Sequence, residues 1–145
     1  IQARSLSDFS SQFGQVFDSI TALVVLIASI ASVVAAVGII NTMLMSVLER
    51  FKEIGALKAV GWTNGNIMLM IVVESVLVGI LGGIAGVVLG VAAAGMIESF
   101  GLTTLVSTPI ILGSFLGAVF VGLLAGLYPA FVAARMDPVE ALRFE

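Results

Sequence analysis

Apolar residues fill three long stretches of the chain, and the charged residues are confined to the segments between them. No charge occurs between Asp18 and Glu49, only Glu74 between Lys58 and Glu98, and none between Glu98 and Arg135. A helix needs roughly 20 apolar residues to cross about 30 Å of hydrocarbon. The pattern predicts spans over about 20–48, 67–97 and 110–134. A core helix of a soluble protein would need surrounding polar helices, and the sequence does not contain them.

Before the first span, Leu6, Phe9, Phe13, Val16, Phe17 and Ile20 recur at spacings of three and four. That is one apolar stripe of an amphipathic lead helix over 1–19. It reads as a helix on the membrane surface, a stalk entering the first span, or a helix packed on a further domain. The lead has no basic n-region, which argues against a cleaved signal peptide. The chain begins without Met, as expected of a piece of a longer protein.

The most charged stretch, Glu49-Arg50-Phe51-Lys52-Glu53-Ile54-Gly55-Ala56-Leu57-Lys58, continues the apolar face of span one through Val47, Leu48, Phe51 and Ile54. The helix is therefore expected to run on past the membrane into water. Gly61 breaks it, and Thr63 is placed to cap the next helix by accepting from the amide of Gly65 or Asn66. Span two carries Gly79-x-x-x-Gly83 and Gly82-x-x-x-Gly86-x-x-x-Gly90; span three carries Gly113/Gly117 and Gly122/Gly126/Ala130. Such rows let helices approach backbone to backbone. A phosphate-binding loop is excluded, because no Lys-Ser or Lys-Thr follows and the run lies within an apolar span. Pro129 is expected to kink span three near Ala125. Asp137-Pro138-Val139-Glu140 carries the N-cap, N1 and N3 residues of a short tail helix over 137–145.

Composition and charge refine this picture in two ways. The chain is 60% hydrophobic and 10% charged, with a mean hydropathy of +1.23 and a net charge of −3. Cysteine and histidine are absent, which removes thiol chemistry and the commonest metal ligands. Arg50, Lys52, Lys58, Arg135 and Arg143 fall on one side of the spans and only Arg4 on the other. The excess of basic residues marks the cytoplasmic side, so the 49–66 segment and the C-terminus lie inside, and the lead and the 98–109 loop outside. The fold class is an all-α membrane protein: three spans, the amphipathic lead, and short cytoplasmic helices, taken as one transmembrane domain.

No nucleophile–base pair, metal cluster or nucleotide loop is legible, so no catalytic residue, metal or bound cofactor is assigned. Asn41, Thr42 and Glu74 are the polar groups embedded in spans. Glu74 lies about ten residues beyond Thr63, roughly 15 Å along a helix. It reads as a proton or substrate group, or as a structural carboxyl hydrogen-bonded to Asn41, Thr42 or Tyr128. The structural reading is preferred, since no second embedded charge exists to form a relay. The charged stretch and the Gly61-Trp62 turn are the stronger functional candidates. A positive-inside anchor requires neither alternating acid and base nor an exposed tryptophan.

These residues carry a family resemblance. Ile40-Asn41-Thr42-Met43-Leu44-Met45-Ser46-Val47-Leu48-Glu49-Arg50, followed by Lys52-Glu53-Ile54-Gly55-Ala56-Leu57-Lys58-Ala59-Val60-Gly61, resembles the signature of FtsX-like, MacB-type ABC transporter permeases. Glu74-Ser75 with the glycine run, and Tyr128-Pro129-Ala130 with Ala133-Ala134-Arg135 and Asp137-Pro138-Val139-Glu140-Ala141-Leu142, resemble two further blocks. The resemblance implies the last three spans of a four-span permease, with a first span and a large outer domain preceding them. It implies a second permease protomer, in a homo- or heterodimer, and a cytoplasmic ABC ATPase that holds the ATP and Mg. Lipid is the surrounding medium, and no nucleic acid is implied. The expected setting is the inner membrane of a prokaryote. Glu49, Arg50, Glu53, Lys58, Trp62, Thr63 and Asn66 would form the coupling element toward the ATPase, and Gly79, Gly83, Gly86, Gly90, Gly122 and Gly126 the packing rows. Motion would pass to the outer face, to export or extract substrate. In an alternative reading the same machinery activates an outer cell-wall hydrolase without transport.

Overall fold

The computed structural model describes residues 2–101, 104 and 106–137, the first nine of these as backbone alone. Four helices follow one another: α1 (Gln2–Glu49), α2 (Phe51–Ala59), α3 (Asn64–Ser99) and α4 (Thr108–Ala134). No strand occurs among the described residues. Ser11–Glu49, Asn64–Ser99 and Thr108–Ala134 are each long and apolar enough to cross a bilayer. The chain is an all-α, multi-pass membrane protein. The tail expected over 137–145 lies outside the described residues, apart from Asp137.

The chain divides into two compact units, Ile1–Val34 and Ala35–Glu145. In the first, the lead and the start of span one belong to one uninterrupted helix. Its apolar side chains from Phe13 to Val34 are exposed, as expected of surface that meets lipid. The hydroxyls of Ser19, Thr21, Ser29 and Ser32 each donate to the carbonyl four residues earlier, at 2.7–2.9 Å. Polar groups in hydrocarbon are thereby satisfied within the helix itself.

The second unit is built on α3 and α4, which pack antiparallel. Along α3 the buried positions are Ile67, Ile71, Ser75, Gly79 and Gly83, one residue every four. Along α4 they are Gly122, Ala125, Gly126, Pro129, Ala130, Ala133 and Ala134. Where the buried row is Ser and Gly, the two backbones touch. A Cβ on Gly122 would stand 2.9 Å from the Gly79 Cα and 3.0 Å from the Ser75 carbonyl oxygen, and one on Gly126 would overlap the Ser75 Oγ and Cβ. Ser75 is fully buried, and its hydroxyl donates to the Val72 carbonyl at 2.8 Å, so its polar atom is not stranded. Nearer the Ile67 end, side chains return, and Val47, Ile54, Ile67, Ile71, Ala130 and Ala133 form one apolar cluster. α4 runs through Pro129 as one helix. Pro129 has no N–H to give the Ala125 carbonyl, and its ring is fully buried.

Two glycine rows on α3 looked alike in sequence and differ in space. Gly79 and Gly83 meet α4, whereas Gly82, Gly86 and Gly90 have open space where a Cβ would go. The expectation that Gly86 and Gly90 pack against a helix does not hold within this chain. Beyond Gly83 the two helices part around a groove of about 260 Å³ lined by Gly86, Val87, Gly90, Ile110, Ile111 and Ser114.

Candidate functional site

The expected run of span one into water is interrupted. α1 stops at Glu49, and Arg50 adopts φ −94° and ψ 18°, outside the helical well, before α2 begins. The hydrogen-bond ladder survives the step: the Arg50 amide donates to the Ser46 carbonyl (3.1 Å) and the Ile54 amide to the Arg50 carbonyl (3.0 Å). No glycine or proline marks this break. At this same residue the Arg50 guanidinium reaches Glu74 on α3, with Nη2 donating to Oε1 at 3.2 Å and Nη1 to Oε2 at 3.4 Å.

Glu74 is therefore corrected from the expected neutral partners. The Thr42 hydroxyl donates to the Gly38 carbonyl within its own helix, and Asn41 and Tyr128 are exposed. The carboxylate is held by a bidentate guanidinium instead, a geometry that planar Arg and carboxylate share. Both side chains remain partly open, 48% for Arg50 and 37% for Glu74.

α2 ends in a Schellman motif. Gly61 takes φ +104°, its amide donates to the Lys58 carbonyl (3.1 Å), and the Trp62 amide donates to the Leu57 carbonyl (3.0 Å). A glycine is needed there, since the left-handed conformation is costly for a residue with a Cβ. Two residues later the Thr63 Oγ1 accepts from the Asn66 amide (3.3 Å), the cap expected for α3. Trp62 is 40% exposed between the two helices.

Lys58 does not project into solvent as a free cation. Its Nζ donates to the carbonyls of Ala134 and Met136, both at 2.7 Å. These lie at the C-terminal end of α4, where carbonyls lack helical partners and the dipole is negative. Arg135, beside them, sits over the Phe131 ring at 4.1 Å. Ile54 and Gly55 are buried on the core side of α2, while Lys52, Glu53 and Ala56 are exposed on the other.

The structure thus joins Arg50 to Glu74 on α3 and Lys58 to the C-terminal end of α4. It leaves Glu49, Glu53, Trp62 and Asn66 exposed beside them. Arg50, Lys52, Lys58 and Arg135 all lie at this one end of the second unit, and Glu98 lies at the other, where its Oε1 accepts from the Thr104 hydroxyl at 2.6 Å. No group of three or more metal-ligating residues occurs among the described residues. The glycine run lies inside α3, so its amides serve the helix and form no phosphate cradle.

With this geometry in place, comparison with known proteins gives the family. Residues 23–138 match the model of the FtsX-like permease C-terminal domain. Over 145 residues the chain is 34% identical to an uncharacterized ABC transporter permease, YknZ, of Bacillus subtilis, covering 99% of this chain and 36% of that protein. It is 37% identical over 142 residues to the macrolide export ATP-binding/permease protein MacB of Bdellovibrio bacteriovorus, covering 97% and 22%. An uncharacterized ABC transporter permease of Methanocaldococcus jannaschii, MJ1507, is 42% identical over 133 residues, covering 87% and 33%. The chain spans about a fifth to a third of the length of these relatives. The chain belongs to the FtsX-like permease C-terminal family, among ABC transporter permeases.

Proposed function

We propose that this chain is the membrane portion of an ABC transporter permease that receives motion from a cytoplasmic ATPase through α2 and the turn after it. The observation that carries this reading is the two-sidedness of α2. One side is fixed to α3 and α4 through Ile54, Arg50 and Lys58, and the other offers Lys52, Glu53 and, beyond Gly61, Trp62 and Asn66. A short helix so held passes a push on its outer side to the spans. ATP and Mg belong to the ATPase, and this chain's own residues transmit. The open Gly86/Gly90 row leaves room on α3 for further helix contact, consistent with assembly of a second protomer. The basic end faces the cytoplasm, in the inner membrane of a prokaryote, with the C-terminus inside. Relatives named for macrolide export favour export or extraction of substrate at the outer face over activation of a hydrolase.

The test is affinity purification of the full parent permease from its own membranes, intact and with Glu53→Lys and Trp62→Ala combined. The intact protein is expected to retain an ABC ATPase, identified by mass spectrometry, and the variant to lose it. An intact permease that brings down no ATPase overturns the reading. Equal recovery by both forms removes this surface from the contact.

A further inference from the structure

α2 is nine residues long, too short to be stable alone in water. What keeps it in place are three attachments, one at each end and one in the middle. At its start, Arg50 grips Glu74, eleven residues into α3 from the Thr63 cap, or about 16 Å along the helix axis. At its finish, Lys58 donates to two carbonyls at the end of α4. Between them Ile54, 2% exposed, enters the cluster with Ile67, Ala130 and Ala133. Each cation is taken up by a different span.

We infer that Arg50 and Lys58 are positioning residues that clamp α2 to α3 and α4 respectively, so that the three move as one body. This rests on the coupling role proposed above and deepens it. It assigns the two basic residues nearest α2's ends to the inside of the permease, and leaves partner recognition to the opposite face. The chemistry differs between the two links. The Arg50–Glu74 link is a planar charge pair that a swap of its ends preserves. The Lys58 link needs only a cation long enough to reach carbonyl oxygens at a helix terminus.

The difference gives a discriminating experiment on the full parent permease in detergent and in native membranes. Lys58→Met removes the cation and keeps the aliphatic stem; Lys58→Arg keeps the cation. Arg50→Glu and Glu74→Arg each break the pair, and their combination restores it with reversed sense. The first readout is amide hydrogen exchange over 51–59, 64–75 and 128–136 in the permease alone. Lys58→Met is expected to speed exchange about tenfold in α2 and in the last turn of α4, the scale of losing a charged hydrogen bond. Lys58→Arg is expected to exchange at the parent rate. The two single reversals are expected to speed exchange in α2 and in 64–75, and the double reversal to bring it back.

The second readout is the ATPase. Lys58→Met is expected to retain it in purification, while the permease-dependent change in ATP hydrolysis falls by about fivefold or more. Lys58→Arg is expected to restore that change.

Unchanged exchange at 128–136 in Lys58→Met, or no recovery in the double reversal, overturns the clamp. Loss of the ATPase from Lys58→Met with normal exchange makes Lys58 a partner contact and also overturns it. Normal hydrolysis in Lys58→Met with altered exchange reduces the link to a structural one and removes its positioning role. If the intact permease holds no ATPase, the proposed function fails, and the exchange results alone decide for or against the clamp.

Discussion

Replacing Gly122 with alanine adds one methyl group at the point where two backbones already touch. The new Cβ would stand 2.9 Å from the Gly79 Cα and 3.0 Å from the Ser75 carbonyl oxygen. Carbon atoms prefer separations of about 3.5–4.0 Å, so α3 and α4 must part by about half an ångström or more. Neither neighbour is a side chain that could rotate away. Overpacking of this kind costs about 1–3 kcal/mol, against a helix-propensity gain of about 1 kcal/mol for alanine over glycine. The net expectation is a loss of up to about 2 kcal/mol.

Two glycines of the facing helix α3 calibrate the argument. At Gly86 nothing lies within 4 Å of the new methyl, so only the propensity gain remains and Gly86→Ala is expected to be neutral or stabilising by up to about 1 kcal/mol. At Gly83 the nearest atoms are Cδ2 of the Phe115 ring at 3.0 Å and the Ala118 Cβ at 3.3 Å. The ring can shift, so Gly83→Ala belongs between the other two. The assay is unfolding in mixed micelles by titration with a denaturing detergent, followed by far-ultraviolet circular dichroism. The order Gly86→Ala, Gly83→Ala, Gly122→Ala, from most to least stable, is the expected result. A Gly122→Ala protein as stable as Gly86→Ala would show that α3 and α4 do not meet at this glycine contact, and would refute the packing account.

Two further predictions concern the turn that joins α2 to α3. Thr63→Ala removes the cap on the Asn66 amide and should cost about 1 kcal/mol, with Thr63→Ser recovering most of it in the same titration. Gly61→Ala places a Cβ at φ +104° and should cost about 1–2 kcal/mol, even though no atom lies within 4 Å of it. A neutral Gly61→Ala would mean that the Schellman turn does not form.

The three spans were legible because hydrophobic length is a local signal, carried by each stretch without reference to the others. The Thr63 cap and the Gly61 stop were legible for the same reason. The break at Arg50 was not, because nothing at residues 49–51 disfavours a helix, and the partner of Arg50 lies 24 residues away at Glu74. With Arg50 assigned to the charged stretch, Glu74 was left with only neutral candidates, and Asn41, Thr42 and Tyr128 were the wrong ones. Lys58 was grouped with the coupling element without its partners in view, since these are main-chain carbonyls that no sequence pattern advertises. The glycine rows show the limit most clearly. Gly79/Gly83 and Gly82/Gly86/Gly90 have the same spacing, and only the position of α4 decides which row is covered. Ser75, at the same four-residue interval before Gly79, extends the covered row, and it was the one available hint.

The contact between α3 and α4 is not uniform along its length, and this has a mechanical consequence. From Ile67 to Gly83 the two helices form a stem held by backbone contact and a side-chain cluster. Beyond Gly83 they become prongs around a groove. The α3 prong, from Gly83 to Ser99, is sixteen residues or about 24 Å long. Turning a rigid stem displaces the tips of the prongs fixed to it. A tilt of about 5° at the stem carries the Ser99 tip about 2 Å sideways, enough to move one side chain past another. The tips stand at the end of the unit away from Arg50, Lys58 and Arg135, so a small rotation at that end is enlarged into a displacement at the tips.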